Sequence, residues 1–167
     1  MTVPARNYGT DLTGTLAAIT ERTRVIFIAN PNNPTGTWVA KDELRSFLRQ
    51  VPEQIWVVLD EAYFEYIDAP DYPDGISLLG DFPNLIVTRT FSKIHALASI
   101  RLGYSISSPV MADLLNRARQ PFNCSGFALA AGVAALSDQD FVATSAVLNH
   151  EGMAQLTAGV REIGRAS

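Results

Sequence analysis

The sequence predicts an α/β fold, a mostly parallel sheet with flanking helices, and three observations predict it. The runs "RVIFIAN" (24–30), "IWVVLD" (55–60) and "NLIVTRT" (84–90) are continuously apolar and rich in β-branched and aromatic residues. That is the pattern of strands buried on both faces of a parallel sheet. Around these runs, apolar residues recur at helical spacing, so strands alternate with helices. Each run then ends in side chains bearing amides, carboxylates or an amine, at the carboxyl ends of the strands where such sheets bind their ligands.

In chain order, "DLTGTLAAIT" sets Leu12, Leu16 and Ile19 on one helical face, with Asp11 placed to cap it. After the first strand, "AKDELRSFLRQV" carries Leu44, Phe47, Leu48 and Val51 at i, i+3, i+4 and i+7, one stripe of an amphipathic helix. After the third strand, "SSPVMADLLNRAR" opens with Ser108 as N-cap and Pro109 in the first turn, and its stripe is Met111, Leu114, Leu115 and Ala118. The segment "GFALAAGVAALSD" is apolar on nearly every side and is expected to be a buried helix. A longer, weaker helical pattern runs from Asp138 to about Arg165. No repeat or low-complexity segment interrupts this order.

Composition bounds the function classes. A chain of 167 residues, 47% hydrophobic and 18% charged, can build one domain with a core. Its net charge of −4 and the absence of a basic run argue against a nucleic-acid partner. The single cysteine, Cys124, excludes an internal disulfide framework and fits a reducing compartment. "MTVPARNYGT" lacks the apolar core of a secretion signal, and no apolar stretch approaches the roughly 20 residues that span a bilayer. The expectation is a soluble, cytoplasmic chain with no membrane contact.

The strand ends carry the chemistry. "NPNNPTGT" (30–37) follows the first strand, a loop made rigid by prolines that holds side-chain amides at the sheet edge. "DEAYFEY" (60–66) follows the second; a carboxylate directly at the end of an apolar strand is expected to be partly desolvated and to need a partner. "TRTFSK" follows the third, grouping Thr90, Ser92 and Lys93, with Arg101 beyond. Taken singly, each has a plain structural explanation: a tight turn, a helix cap, a surface lysine. Taken together, they make up the inventory of a pyridoxal phosphate site. The lysine amine bonds the cofactor, a carboxylate keeps the pyridine nitrogen protonated, and amide and phenol hold the ring oxygen. Hydroxyls and a planar guanidinium take the phosphate.

On these residues the chain resembles fold-type I aminotransferases, in particular the histidinol-phosphate aminotransferase family. The resemblance rests on "VIFIANPNNPTGT", "VVLDEAYFEY", "TRTFSK", "IRLGY" and "LLNRARQPFN", which follow the family's order and spacing. It implies that Lys93 is the catalytic lysine that binds the cofactor and carries a proton between substrate Cα and cofactor C4′. It implies that Asp60 pairs with the pyridinium nitrogen, that Tyr63 and Asn33 hold the ring oxygen, and that Thr90, Ser92 and Arg101 bind the phosphate. It implies a small-molecule amino donor and a 2-oxo acid as substrates, transfer between glutamate and imidazole-acetol phosphate in histidine biosynthesis, and a homodimer. No metal is implied. Arg119 and Asn123, in "RARQPFN", are candidates near the substrate, Arg119 equally for a place on the helix surface.

Two departures qualify the resemblance. The family commonly has an aromatic-glycine pair after the lysine, whereas this chain reads "KIHALAS". His95 is read as a packing or hydrogen-bonding replacement, and Ala96, where glycine would allow close backbone approach, as a shift of the lysine loop. Family members are also much longer. Residues 1–137 correspond to the central part of their cofactor-binding large domain and 138–167 to the helix leading towards their small domain. The expectation is therefore weak or absent transamination by this chain alone. The alternatives are an aromatic amino acid aminotransferase or threonine-phosphate decarboxylase of the same fold, or a non-catalytic chain.

Overall fold

The structure, a computed structural model, describes residues 1–164, which divide into two compact units. The first comprises Met1–Thr90 and Gly103–Asn123. Its centre is a four-stranded sheet of β1 (Val25–Ala29), β2 (Trp56–Asp60), β3 (Leu85–Thr90) and β4 (Gly103–Ser107), in that spatial order. β1 pairs parallel to β2 and β2 parallel to β3, so Ala29, Asp60 and Thr88 stand level at the carboxyl rim. β4 pairs antiparallel to β3, with Tyr104 opposite Arg89 and Gly103 opposite Thr90. The fold class and the three expected strands are as the sequence predicts. β4 escapes a pattern search because "GYSIS" is weakly apolar.

Helix α1 (Leu12–Ala17) starts where Asp11 Oδ1 accepts a hydrogen bond from Gly14 N at 2.8 Å, the expected cap. Helix α2 (Lys41–Gln50) has no side-chain cap, but Asp42 and Glu43 in its first turn and Arg49 in its last suit the helix dipole. Its predicted stripe of Leu44, Phe47 and Leu48 is buried, with Val51 just beyond. These side chains join Leu12, Ile26, Ile28, Val57, Leu59, Leu85 and Val87 in one core on a single face of the sheet. The connection from β2 to β3 uses short 3₁₀ turns at Phe64–Tyr66 and Gly75–Leu78 instead of a helix.

Burial departs from expectation at the sheet edge. β3 is buried continuously over Leu85, Ile86 and Val87, as predicted, but β1 alternates, leaving Val25 and Phe27 44% and 76% exposed. The β1 side chains that meet the α1–α2 core are buried, and Val25 and Phe27, on the opposite face, are not covered. Helix α3 (Pro109–Ala118) begins with Pro109 in its first turn, while Ser108 makes no side-chain cap bond. Of its expected stripe only Met111 is buried; Leu114, Leu115 and Ala118 are exposed.

The second unit comprises Phe91–Leu102 and the chain from Cys124 onward. Phe91 N donates to Leu102 O and Leu97 N to Phe91 O, closing the first segment into a loop. Helix α4 (Gly126–Ser137) is capped by Ser125 Oγ, and α5 (Gln139–Glu162) by Asp138 Oδ1. A Cβ at Gly132 would lie 2.4 Å from Leu102 and 3.4 Å from the Phe91 ring, so the missing side chain is what lets α4 approach this loop. The expectation of a buried helix is not met: only Ala128 and Gly132 of α4 are buried, and Phe127 and Val133 are 90% and 70% exposed. A helix apolar on all sides has more apolar surface than one packed stripe can cover. No described residue of α5 is buried. Residues 165–167, read from sequence as the end of this helix, lie outside the described residues.

Candidate active site

The loop after β1 is built around Asn30, whose side chain is fully buried. Asn30 Oδ1 accepts from Val39 N at 2.8 Å and Nδ2 donates to Val39 O at 3.3 Å, tying the two ends of the loop together. Asn30 N donates to Asp60 O, and the Tyr72 hydroxyl donates to Asn30 O. Burial pushes the Tyr72 hydroxyl far above its ordinary range, so it remains a donor. Inside the loop, Asn32 O accepts from Gly36 N and Thr37 O from Asn32 N, with Gly36 in the left-handed region at φ 70°. The Asn30–Pro31 and Asn33–Pro34 bonds are both cis. The frame delivers Asn33 to its predicted neighbour: Asn33 Nδ2 donates to the Tyr63 hydroxyl oxygen at 3.0 Å, across 30 positions of sequence.

Asp60 closes β2, and its Oδ1 accepts from Ala62 N at 3.1 Å. The expectation of a partly desolvated carboxylate fails here, because Asp60 is exposed. The pleat explains it: Val57 and Leu59 point into the core, so Asp60 falls on the opposite face. The buried carboxylate is the next residue, Glu61, with no exposed surface. Its Oε1 accepts from Gly75 N at 2.8 Å, and its Oε2 accepts from Arg89 Nε and Nη2 at 3.0 and 2.8 Å. Arg89 also donates to Asp74 Oδ1 at 2.8 Å and lies 3.6 Å over the Phe64 ring. Burial raises the Glu61 pKa against the pull of the Arg89 guanidinium.

Sequence reasoning missed this Glu61–Arg89 pair. The available signal was an arginine inside "LIVTRT", a charge that a sheet interior tolerates only beside an acid. It also missed Asn30, whose preference for a bracing role has no pattern in a loop already crowded with asparagines.

Thr90 is the last residue of β3 and pairs with Gly103, in the first unit. Ser92, Lys93 and Arg101 belong to the second. There Ser92 is half-buried and Lys93 exposed, followed by buried Ile94 and His95. The His95 ring packs against Phe91 with centroids 5.2 Å apart, which agrees with a packing replacement. Lys93 O accepts from Ala96 N at 2.9 Å, and Ala96 takes φ 56°, the left-handed conformation that favours glycine. Arg101 is also left-handed at φ 54°, and its Nη1 donates to Ala98 O at 2.7 Å. Arg119 is held locally, donating to Asn116 Oδ1 and Asn123 Oδ1, each at 2.8 Å. Among the described residues, no group of three or more His, Cys, Asp or Glu side chains is arranged to hold a metal, and no helix is long and apolar enough to cross a membrane.

Histidinol-phosphate aminotransferase 2 of Pseudomonas fluorescens Pf-5 is 58% identical over 162 residues, 97% of this chain and 44% of that protein. The Pseudomonas aeruginosa protein of the same name is 56% identical with the same coverage. The chain thus spans less than half the length of the curated relatives it matches. The crystal structure of histidinol-phosphate aminotransferase from Sinorhizobium meliloti in complex with pyridoxal-5′-phosphate superposes with a TM-score of 0.82 at 39% identity, covering 88% of this chain and 40% of that one. The Clostridium acetobutylicum enzyme, at 23% identity, shares the fold with a TM-score of 0.84 over 95% of this chain and 48% of that one. The family model for aminotransferase class I and II matches residues 1–165, and the chain belongs to that family.

Proposed function

We propose that this chain carries the cofactor-holding core of a pyridoxal-phosphate-dependent histidinol-phosphate aminotransferase. The observation that carries the reading is the meeting of the Asn33 amide with the Tyr63 hydroxyl at the carboxyl rim of the sheet, beside the exposed carboxylate of Asp60. The donor set fits the cofactor. A ring phenolate oxygen takes an amide and a phenol as donors, and a pyridinium takes a carboxylate. The identity to histidinol-phosphate aminotransferases supports the substrate assignment.

When bound, pyridoxal phosphate supplies an electron sink for charge developing at the substrate α-carbon. Lys93 would hold the group through Nζ and would carry the proton at the substrate α-carbon. Asp60 holds the ring nitrogen protonated, and Asn33 and Tyr63 orient the ring through its oxygen. Thr90 and Ser92 offer hydroxyls, and Arg101 a guanidinium, to the phosphate. Residues 1–137 serve as the central part of the cofactor-binding domain, and 138–167 as the helix leading from it. The substrates are an amino donor and a 2-oxo acid, the working assembly is a homodimer, and the setting is cytoplasmic.

The test is to titrate the purified chain with pyridoxal phosphate and record the absorption band of the lysine-bound cofactor, with Lys93→Ala as control. A band present in the chain and lost in the variant is the expected result. A well-folded chain with no band overturns the reading.

A further inference from the structure

We propose that Glu61 is a positioning residue for Asp60 and Tyr63, the buried anchor that aims this exposed turn at the cofactor; the inference rests on the reading of the site given above. Glu61 sits one residue after Asp60 and two before Tyr63. It is the fully buried member of a turn whose other side chains reach the surface. Its backbone N–H donates to Thr88 O at 2.9 Å, and its carbonyl accepts from Phe64 N at 3.0 Å. Its carboxylate takes one donor from the Gly75 backbone and two from Arg89. A single residue therefore ties the end of β2 to β3 and to the turn at Gly75–Leu78.

The arrangement is specific as well as tight. A Cβ on Gly75 would stand 2.6 Å from Glu61 Oε1, so the carboxylate reaches the Gly75 N–H only because that position has no side chain. Arg89 is held in turn by Asp74 and by the Phe64 ring, and so presents its fork to Glu61 in one orientation. Burying an ion pair is unfavourable, and well-packed apolar residues in place of both Glu61 and Arg89 would serve stability as well or better. What an apolar residue cannot do is fix the turn by directional bonds. Asp60 itself is fastened within the turn by the 3.1 Å bond from Ala62 N. The aim of Asp60 and Tyr63 therefore depends on what holds the backbone beneath them, much as outer partners orient the ligands of a metal site.

The experiment compares the chain with its Glu61→Gln and Glu61→Gln/Arg89→Gln variants, the second removing both charges so that neither is left buried alone. Amide hydrogen exchange is followed at Ala62 and Val87, and pyridoxal phosphate is titrated by absorbance. In a folded variant, exchange at Ala62 should rise about tenfold while Val87 stays protected, and the cofactor should bind about 10–100-fold more weakly. Ala62 exchange and cofactor affinity equal to those of the parent chain overturn the proposal. So does exchange at Ala62 that rises only in step with Val87, the mark of a residue acting on stability alone, or failure of both variants to fold. If the parent chain binds no cofactor, the functional reading falls, and the exchange arm alone decides whether Glu61 anchors the turn.

Discussion

Ala96 offers a direct test of the backbone around Lys93. Its φ of 56° places an alanine in the left-handed region, where Cβ crowds the following carbonyl. That conformation costs an L-residue about 1–2 kcal/mol. Ala96→Gly removes the crowding but gives the unfolded chain more freedom to lose, about 0.5–1 kcal/mol. The difference predicts that Ala96→Gly stabilises the fold by roughly 0.5–1 kcal/mol, the size of effect seen when residue and backbone are made compatible. The bond from Ala96 N to Lys93 O survives, because glycine keeps the N–H. Ala112, exposed within α3, is the control. There the same exchange should destabilise by about 0.8–1 kcal/mol, the ordinary helix cost of glycine. Chemical denaturation followed by circular dichroism measures both. Opposite signs are expected; a loss of stability at both positions would refute the left-handed turn after the lysine, and with it the view that this chain carries strain at Ala96.

The remaining predictions concern packing and pH. Gly75→Ala would set a methyl group 2.6 Å from Glu61 Oε1, 2.7 Å from Leu59 and 3.0 Å from Val87, and thermal melts should show a loss of about 1–3 kcal/mol. Phe47→Ala opens a void in the core beneath the sheet and should cost about 3–5 kcal/mol in urea unfolding; a loss below about 1 kcal/mol would contradict its burial. Burial raises the Tyr72 and Tyr104 hydroxyls above the 10.0 of an open tyrosine. The unfolded chain therefore releases these protons near pH 10 while the folded chain retains them. Stability is intact below pH 10 and falls as pH rises beyond it, and Tyr72→Phe should flatten that decline in melting temperature against pH.

The sequence was legible where one local pattern determines one outcome. The α2 stripe of Leu44, Phe47 and Leu48 buries as its spacing predicts, because a helix with one apolar face has one way to pack. Asn33 and Tyr63 meet because prolines restrict the loop and a parallel strand pair sets the rim level. Legibility failed where the outcome depends on what lies on the far side of an element. A run such as "VIFIA" reads the same whether one face of its strand is covered or both, yet Phe27 is exposed because it lies on the face opposite the α1–α2 core. "GFALAAGVAAL" likewise announces an apolar helix without saying how much of it will be covered. The carboxylates of "DE" show the same limit at the scale of one residue. The residue whose charge is expected to meet the cofactor is the exposed one, and the charge the fold must neutralise is its neighbour. Which of two adjacent acids points inward is decided by the pleat of β2, and so by the register of Val57 and Leu59 on the core. In this rim the chemistry and its support are adjacent residues at one strand end, and composition cannot tell them apart.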